Sequence, residues 1–183
     1  MKLDNLNEFV NNSKVDESTV HDYGCVMGFF PTGKYWDSIT NIVKKEDLYL
    51  DKDDDSYGLE DEPHITLLYG LHSDIPDSDV EDIVKEFKAP TLILNEISVF
   101  ENENFDVLKF DVHHDALIDM NKKLTTLPYT TDYPNYKAHT TIAYVKPGLG
   151  KKYAIKIDGI EVIPEKIVYS KVDGSKIIYK FKK

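Results

Sequence analysis

Arginine is absent from the 183 residues, so all 22 basic side chains are lysines. The planar guanidinium clamp on a phosphate is thereby excluded. Any phosphate has to be held by lysine, histidine, hydroxyls or backbone N–H groups. Cysteine occurs once, at Cys25, so no intramolecular disulfide can form and the fold does not depend on oxidation. The longest apolar stretches, such as residues 25–30, are far too short to cross a bilayer. The first residues, Met1-Lys2-Leu3-Asp4-Asn5, lack a basic stretch leading into an apolar one. No signal peptide is therefore expected, and a cytoplasmic location follows. Positive charge is scarce: the formal net charge is -11. Proteins that grip long RNA or DNA show a basic face, because affinity comes largely from neutralising phosphates. The charge balance argues against a long nucleic acid as partner and leaves a small phosphorylated molecule open.

What is present is ordinary for a soluble globular chain, with 41% hydrophobic and 30% charged residues. The length suits one domain, or one domain of two similar lobes, and is enough to bury a core. Residues 3–12 read as a short helix, with Leu3, Leu6, Phe9 and Val10 at helical spacing, and 13–19 as a polar link. Strand patterns follow over 23–30, 47–50, 64–71, 91–100, 105–112, 139–145, 153–157, 166–172 and 176–181. Helical patterns cover 34–43, 77–87 and 115–124, with Asp77 or Ser78 as a cap for the second. The last two strands are joined across Asp173-Gly174, a hairpin signal. Strand, helix, loop and strand recur in the same order over 23–71 and 105–145, which reads as a pseudo-duplication.

Each pass ends in a related motif. The first is Pro63-His64-Ile65-Thr66-Leu67-Leu68-Tyr69, the second Ala138-His139-Thr140-Thr141-Ile142-Ala143-Tyr144. Strand alternation places His64 with Thr66, and His139 with Thr141, on one face. The same alternation sends Ile65, Leu67, Ile142, Tyr69 and Tyr144 to the opposite face, so the tyrosines read as core. If both pairs line one cleft, two imidazoles flank one phosphate. A neutral histidine takes the proton of the attacking oxygen, and a protonated one supplies the leaving oxygen. Threonine hydroxyls donate to the non-bridging oxygens. No metal or other cofactor is needed for this scheme. A single His-x-Thr carries almost no information; two copies at matching places in a repeated order carry the argument.

These two segments, extended to Glu62–Gly70 and Tyr136–Tyr144, resemble the 2H phosphoesterase superfamily, as does the closing hairpin Lys166-Ile167-Val168-Tyr169-Ser170 with Ile177-Ile178-Tyr179. The resemblance implies a two-lobed, pseudo-duplicated α+β fold, with antiparallel sheets lining a central cleft and helices outside. It divides the single domain into an N-terminal helix and link (1–19), a first pseudo-repeat (20–100) and a second (105–183). It further implies hydrolysis of a ribonucleotide phosphodiester: a cyclic nucleotide, a cyclic oligonucleotide, or a 2′–5′ or 3′–5′ linked oligonucleotide. The catalytic set carried over is His64, Thr66, His139 and Thr141, with no cofactor. An arginine-free, lysine- and asparagine-rich composition suggests an AT-rich genome. A phage enzyme acting on a nucleotide defence signal in the host cytoplasm is one setting the resemblance offers. A non-catalytic nucleotide- or RNA-binding module on the same fold is the competing class.

Other candidates were weighed against plainer readings. Asp51, Asp53, Asp55 and Glu62 fall at calcium-loop positions 1, 3, 5 and 12, but Ser56 stands where the loop needs glycine. A solvated loop, or a lid over the cleft, is expected there. Asp111, His113, His114 and Asp115 could suggest a metal, yet they lie where a strand passes into a helix, and Asp115 reads as near a cap. Lys137 shares strand parity with His139 and is a candidate phosphate contact. Cys25 and Trp36 read as core. Oligomeric state is left open by the sequence.

Overall fold

The structure, a computed structural model, describes residues 22–54 and 56–181. The expected helix over 3–12 and link over 13–19 lie outside the described residues, as does Asp55. The elements run β1 (Gly24–Phe29), α1 (Lys34–Thr40), a 3-10 turn (Lys45–Asp47), β2 (His64–Leu71), α2 (Asp77–Val84), β3 (Leu92–Glu101) and β4 (Asp106–Asp111). They continue through α3 (Asp115–Leu124), β5 (His139–Val145), a second 3-10 turn (Gly150–Tyr153), β6 (Lys156–Val162), β7 (Lys166–Ser170) and β8 (Lys176–Lys180). Among the described residues no helix is long and apolar enough to cross a membrane.

The fold is α+β, with two four-stranded antiparallel sheets ordered β2-β1-β7-β8 and β5-β4-β3-β6. Each sheet has a His-x-Thr strand at one end, paired to the first strand of its pass. The two lobes are nevertheless interleaved in sequence. β3, expected in the first pseudo-repeat, belongs to the sheet of β4 and β5, while β7 returns to pair with β1 and β8 pairs with β7. A boundary near residues 100–105 therefore does not separate the sheets. The inner edges of β1 and β4 each need a partner, and the chain supplies each from the other half. The helices also cross over: α1 packs against β5 and α3 against β2.

One continuous core lies on the helix side of both sheets. Val26, Ile65 and Ile167 of the first sheet and Leu94, Phe110 and Ile142 of the second meet Trp36, Val80, Leu117 and Met120 from the helices. Trp36 is buried as expected, its indole N–H donating to the Glu60 carbonyl at 2.6 Å. The cap of α2 is Pro76, with no side-chain hydrogen bond, so Asp77 and Ser78 do not cap it; Asp77 and Asp79 instead sit in the first turn, where the helix dipole favours them. The expected strand over 153–157 is displaced to β6, because the Gly150–Tyr153 turn takes its start. The segment 47–50 makes only an isolated bridge, Leu48 to Val145. The β7–β8 hairpin forms across Asp173-Gly174, where Gly174 adopts φ +82.

Candidate functional site

Both motif strands carry the same irregularity. In the first sheet Met27 opposes Thr66 and Val26 opposes Leu68, leaving Leu67 without a partner. In the second, Lys109 opposes Thr141 and Leu108 opposes Ala143, leaving Ile142 without one. An extra residue in one strand reverses the alternation beyond it. Tyr69 and Tyr144 therefore share the face of His64/Thr66 and His139/Thr141, not the opposite one that regular alternation gives. Tyr144 is buried there against Tyr57, Phe105 and Val107. Tyr69 packs on Cys25, Met27 and Phe29, and one side of it is open to a cavity. Ile65, Leu67 and Ile142 do face the core. Neither bulge leaves its carbonyl unpaired: Leu67 O accepts from Asn121 Nδ2 at 2.7 Å, and Ile142 O from the Glu60 backbone N–H at 2.9 Å.

β2 and β5 approach within 8 Å, and one residue of each motif, Thr66 and His139, lines a shared cavity, while His64 and Thr141 do not line it. His64, Thr66 and Thr141 are buried and His139 is half-buried. The histidines are held alike. His64 Nδ1 meets the Glu62 carbonyl at 2.9 Å, and His139 Nδ1 meets the Lys137 carbonyl at 3.0 Å. A carbonyl only accepts, so each Nδ1 carries the hydrogen, and Nε2 is the lone-pair nitrogen of each neutral ring. Each ring rests on a phenylalanine, Phe29 at 5.3 Å from His64 and Phe100 at 5.4 Å from His139. Burial pushes the His139 pKa below its ordinary 6.5, against the Lys137 carbonyl hydrogen bond. The positive charges of Lys109 and His64 add to the lowering, and Asp111 opposes it.

The cavity beside His139 has a volume of about 600 Å³. Its walls are Thr66 and Tyr69 of β2, the β3 end from Val99 to Asn102, and the loop carrying Tyr129, Tyr133 and Tyr136. The loop is stitched to β2. Thr130 N–H donates to Gly70 O at 2.9 Å, His72 N–H to Pro128 O at 3.2 Å, and the Tyr136 hydroxyl to Thr66 O at 3.1 Å. Gly70, at φ +111, makes this approach possible, since a Cβ there would lie 1.9 Å from the Thr130 oxygen. The Asn102 side-chain nitrogen is buried at the cavity wall with no hydrogen-bond partner among the described residues.

Lys137 is exposed and lines this cavity, but it lies outside β5, which begins at His139. On the other side Lys166 Nζ sits 5.1 Å from the Phe29 ring centre. Glu101 and Asp132 line the same cavity as Lys137, so its charged lining is of both signs. Cys25 is buried and burial raises its pKa to about 12, which leaves no thiolate for nucleophilic chemistry. The described part of the acidic loop is tied to its own backbone and to β5. Asp51 and Asp54 accept backbone N–H groups two residues on, and the loop backbone covers β5 through Tyr144 N–H to Gly58 O at 2.7 Å. His114 caps α3 by accepting the Ala116 N–H, and Asp115 stands beside it in the first turn, near the cap as expected. Asp111 is bonded to Lys109 and Ser98. Among the described residues no three His, Cys, Asp or Glu side chains are grouped to hold a metal ion.

Sequence reasoning missed Lys109, Phe29, Phe100 and the tyrosine loop. A lysine at an inward position of an otherwise apolar strand, Phe105-Asp106-Val107-Leu108-Lys109, was the one signal available for any of them.

Asn121→Ala is expected to destabilise the protein by about 1–3 kcal/mol, because the Leu67 carbonyl loses its partner; denaturant unfolding checks this. Gly70→Ala is expected to cost at least about 2 kcal/mol, from strain and from displacement of the tyrosine loop. Thermal unfolding, with faster amide exchange at Thr130, reads out both effects.

The sequence matches no family model and none of the curated proteins with which it was compared. Solved structures do match. The structure of Kluyveromyces marxianus Usb1 superposes with a TM-score of 0.54 at 12% identity, covering 87% of this chain and 98% of that one. The structure of the same yeast protein with uridine monophosphate gives 0.55 at 12% identity, covering 87% and 99%. At this identity the likeness is one of fold: this chain has the architecture of Kluyveromyces marxianus Usb1 over nearly the whole length of both.

Proposed function

We propose that this chain is a metal-independent phosphodiesterase that hydrolyses a phosphodiester of a small ribonucleotide by two-histidine acid–base catalysis. The observation that carries the reading is the pair of His-x-Thr motifs on strands that approach each other at one cavity, each imidazole fixed through Nδ1 to the carbonyl two residues earlier. That anchoring aims chemistry at Nε2 in both rings. His139, disposed to the neutral form, accepts the proton of the attacking water or ribose hydroxyl. The oxygen attacks phosphorus, the bond to the leaving oxygen breaks, and the His64 imidazolium supplies that oxygen with its proton. The Thr66 and Thr141 hydroxyls donate to the non-bridging oxygens as charge gathers on them.

The cavity supports a nucleotide as substrate. Its volume suits a nucleoside, tyrosines supply stacking faces, and Asn102 offers a buried donor to a base carbonyl. Uridine monophosphate in one of the structures that share the fold supports the same class. Among the described residues Lys137 is the one exposed lysine in the cavity lining, beside Glu101 and Asp132, and so little positive charge suits a small nucleotide better than a long strand. Action on a nucleotide defence signal in a phage-infected host is the biological setting this reading favours.

Turnover with EDTA present is measured on 2′,3′-cyclic mononucleotides, 2′–5′ oligoadenylate, 3′,3′-cyclic dinucleotides and a short RNA. Cleavage of at least one is expected, with His64→Ala and His139→Ala each lowering kcat/KM by about 10²-fold or more. Binding without cleavage, unchanged in both variants, would make the protein a nucleotide-binding module instead.

A further inference from the structure

The two half-sites are alike in backbone and unlike in what lies beneath the motifs. Register gives the correspondence. Met27 stands opposite Thr66 as Lys109 stands opposite Thr141, and Phe29 opposite His64 as Asp111 opposite His139. One strand further in, Val168 pairs with Met27 as Ser98 pairs with Lys109. A Val–Met–Phe row under His64 is thus replaced by Ser–Lys–Asp under His139. The lysine is only 3% exposed, a rare state for an ammonium group, and the arrangement compensates it fully. Its Nζ reaches Asp111 Oδ1 at 2.5 Å and Ser98 Oγ at 2.8 Å, and lies 4.0 Å from the Phe100 ring centre. Ser98 in turn donates to Asp111 Oδ2 at 2.7 Å. With these three partners Lys109 is committed to the protein and is not a phosphate ligand. Phe100, under the ammonium, meets the His139 ring edge-on at 86°.

We propose that Ser98, Lys109 and Asp111 form the positioning device of the His139 half-site: Lys109 clamps the Phe100 ring against the imidazole and sets a fixed positive charge behind it, giving His139 the proton-accepting role. What the device does in turnover rests on the two-histidine reading above; its effect on the imidazole does not. Behind His64 the matching places are apolar and the lysine nearest Phe29, Lys166, is half-buried at 5.1 Å from that ring, whereas behind His139 the charge is buried, which makes two similar histidines unequal. Asp111 is the other half of the device. It anchors the ammonium and moderates its field. Burial opposes its ionisation, but hydrogen bonds from Lys109 and Ser98 outweigh that and hold the carboxyl below its ordinary 3.8. The remaining charged or titratable groups about His139 are His64 on β2, Lys137 just before β5, and Glu101, Asp132, Tyr69, Tyr129, Tyr133 and Tyr136 in the cavity walls.

The test is the titration midpoint of His139 by proton NMR of its imidazole, identified among the six histidines by the signal lost in His139→Gln. Lys109→Met copies the apolar half-site and is expected to raise the midpoint by about one pH unit, since a repelling charge is removed and Asp111 is left beside the ring. Asp111→Asn keeps its shape, has a side chain 42% open to solvent, and is expected to lower the midpoint. It decides the sign even if Lys109→Met does not fold. Midpoints that stay put, or move in the same direction, overturn the proposal and leave a purely structural ion pair. In turnover the acid limb of the kcat/KM profile should follow the NMR midpoint in each variant. Opposite NMR shifts in a protein inert toward every nucleotide would sink the hydrolase reading alone. An active protein with unmoved midpoints would sink the positioning device alone.

Discussion

Everything at the site depends on one extra residue in each motif strand. A regular strand would send Tyr69 and Tyr144 into the helix-side core. The unpaired Leu67 and Ile142 turn them onto the face of the histidines and threonines instead. A bulge survives only if its exposed backbone groups find partners. Here a side chain of α3 and the backbone of the acidic loop supply them. Since α3 follows β4 yet serves β2, and the acidic loop precedes β2 yet serves β5, each motif is braced by a segment paired or linked to the other. The two half-sites are therefore fixed in relation to each other as well as internally.

On that near-symmetric frame the chemistry is asymmetric. Both rings are oriented by the same carbonyl bond and both rest on a phenylalanine. Among the described residues a buried, fully partnered ammonium lies behind only one of them, His139, and that ring, unlike His64, lines the tyrosine-walled cavity. A symmetric pair of imidazoles would have no reason to divide the roles of acid and base. In the proposed mechanism the Lys109 ammonium, 4.0 Å from the Phe100 ring on which His139 rests, supplies that reason, because in a site of low polarity a charge is weakly screened. The overall charge of -11 extends to the cavity, where Glu101 and Asp132 stand beside Lys137.

Much of the scaffold was legible in the chain. The apolar alternation of 24–29, 64–71 and 106–111, the three helical patterns and the Asp173-Gly174 hairpin all appear where local pattern puts them. What local pattern misjudged is non-local. The start of β6 was misplaced because Asp158 and Gly159 blur its alternation and pairing with β3 is what makes it a strand. The pass boundary near residue 100 did not divide the sheets, because strand partners are chosen by free edges in space. The tyrosine faces were inverted because a bulge leaves no trace in a run such as Ile-Thr-Leu-Leu-Tyr.

By itself the sequence determined the motif histidines and threonines and the absence of arginine and disulfide from any mechanism, while the α+β class came as what the resemblance of those motifs implied. The former follow from residue identity and periodicity, which are local properties. Only the tertiary structure decided that the two motif strands approach each other at a shared cavity, and that Leu67 and Ile142 bulge. It alone brought Phe29, Phe100 and Lys109 beneath the rings and closed a cavity with the loop around Tyr133. Each of these is a meeting of segments tens of residues apart, and which surfaces meet is settled by burial and hydrogen-bond satisfaction over the whole chain.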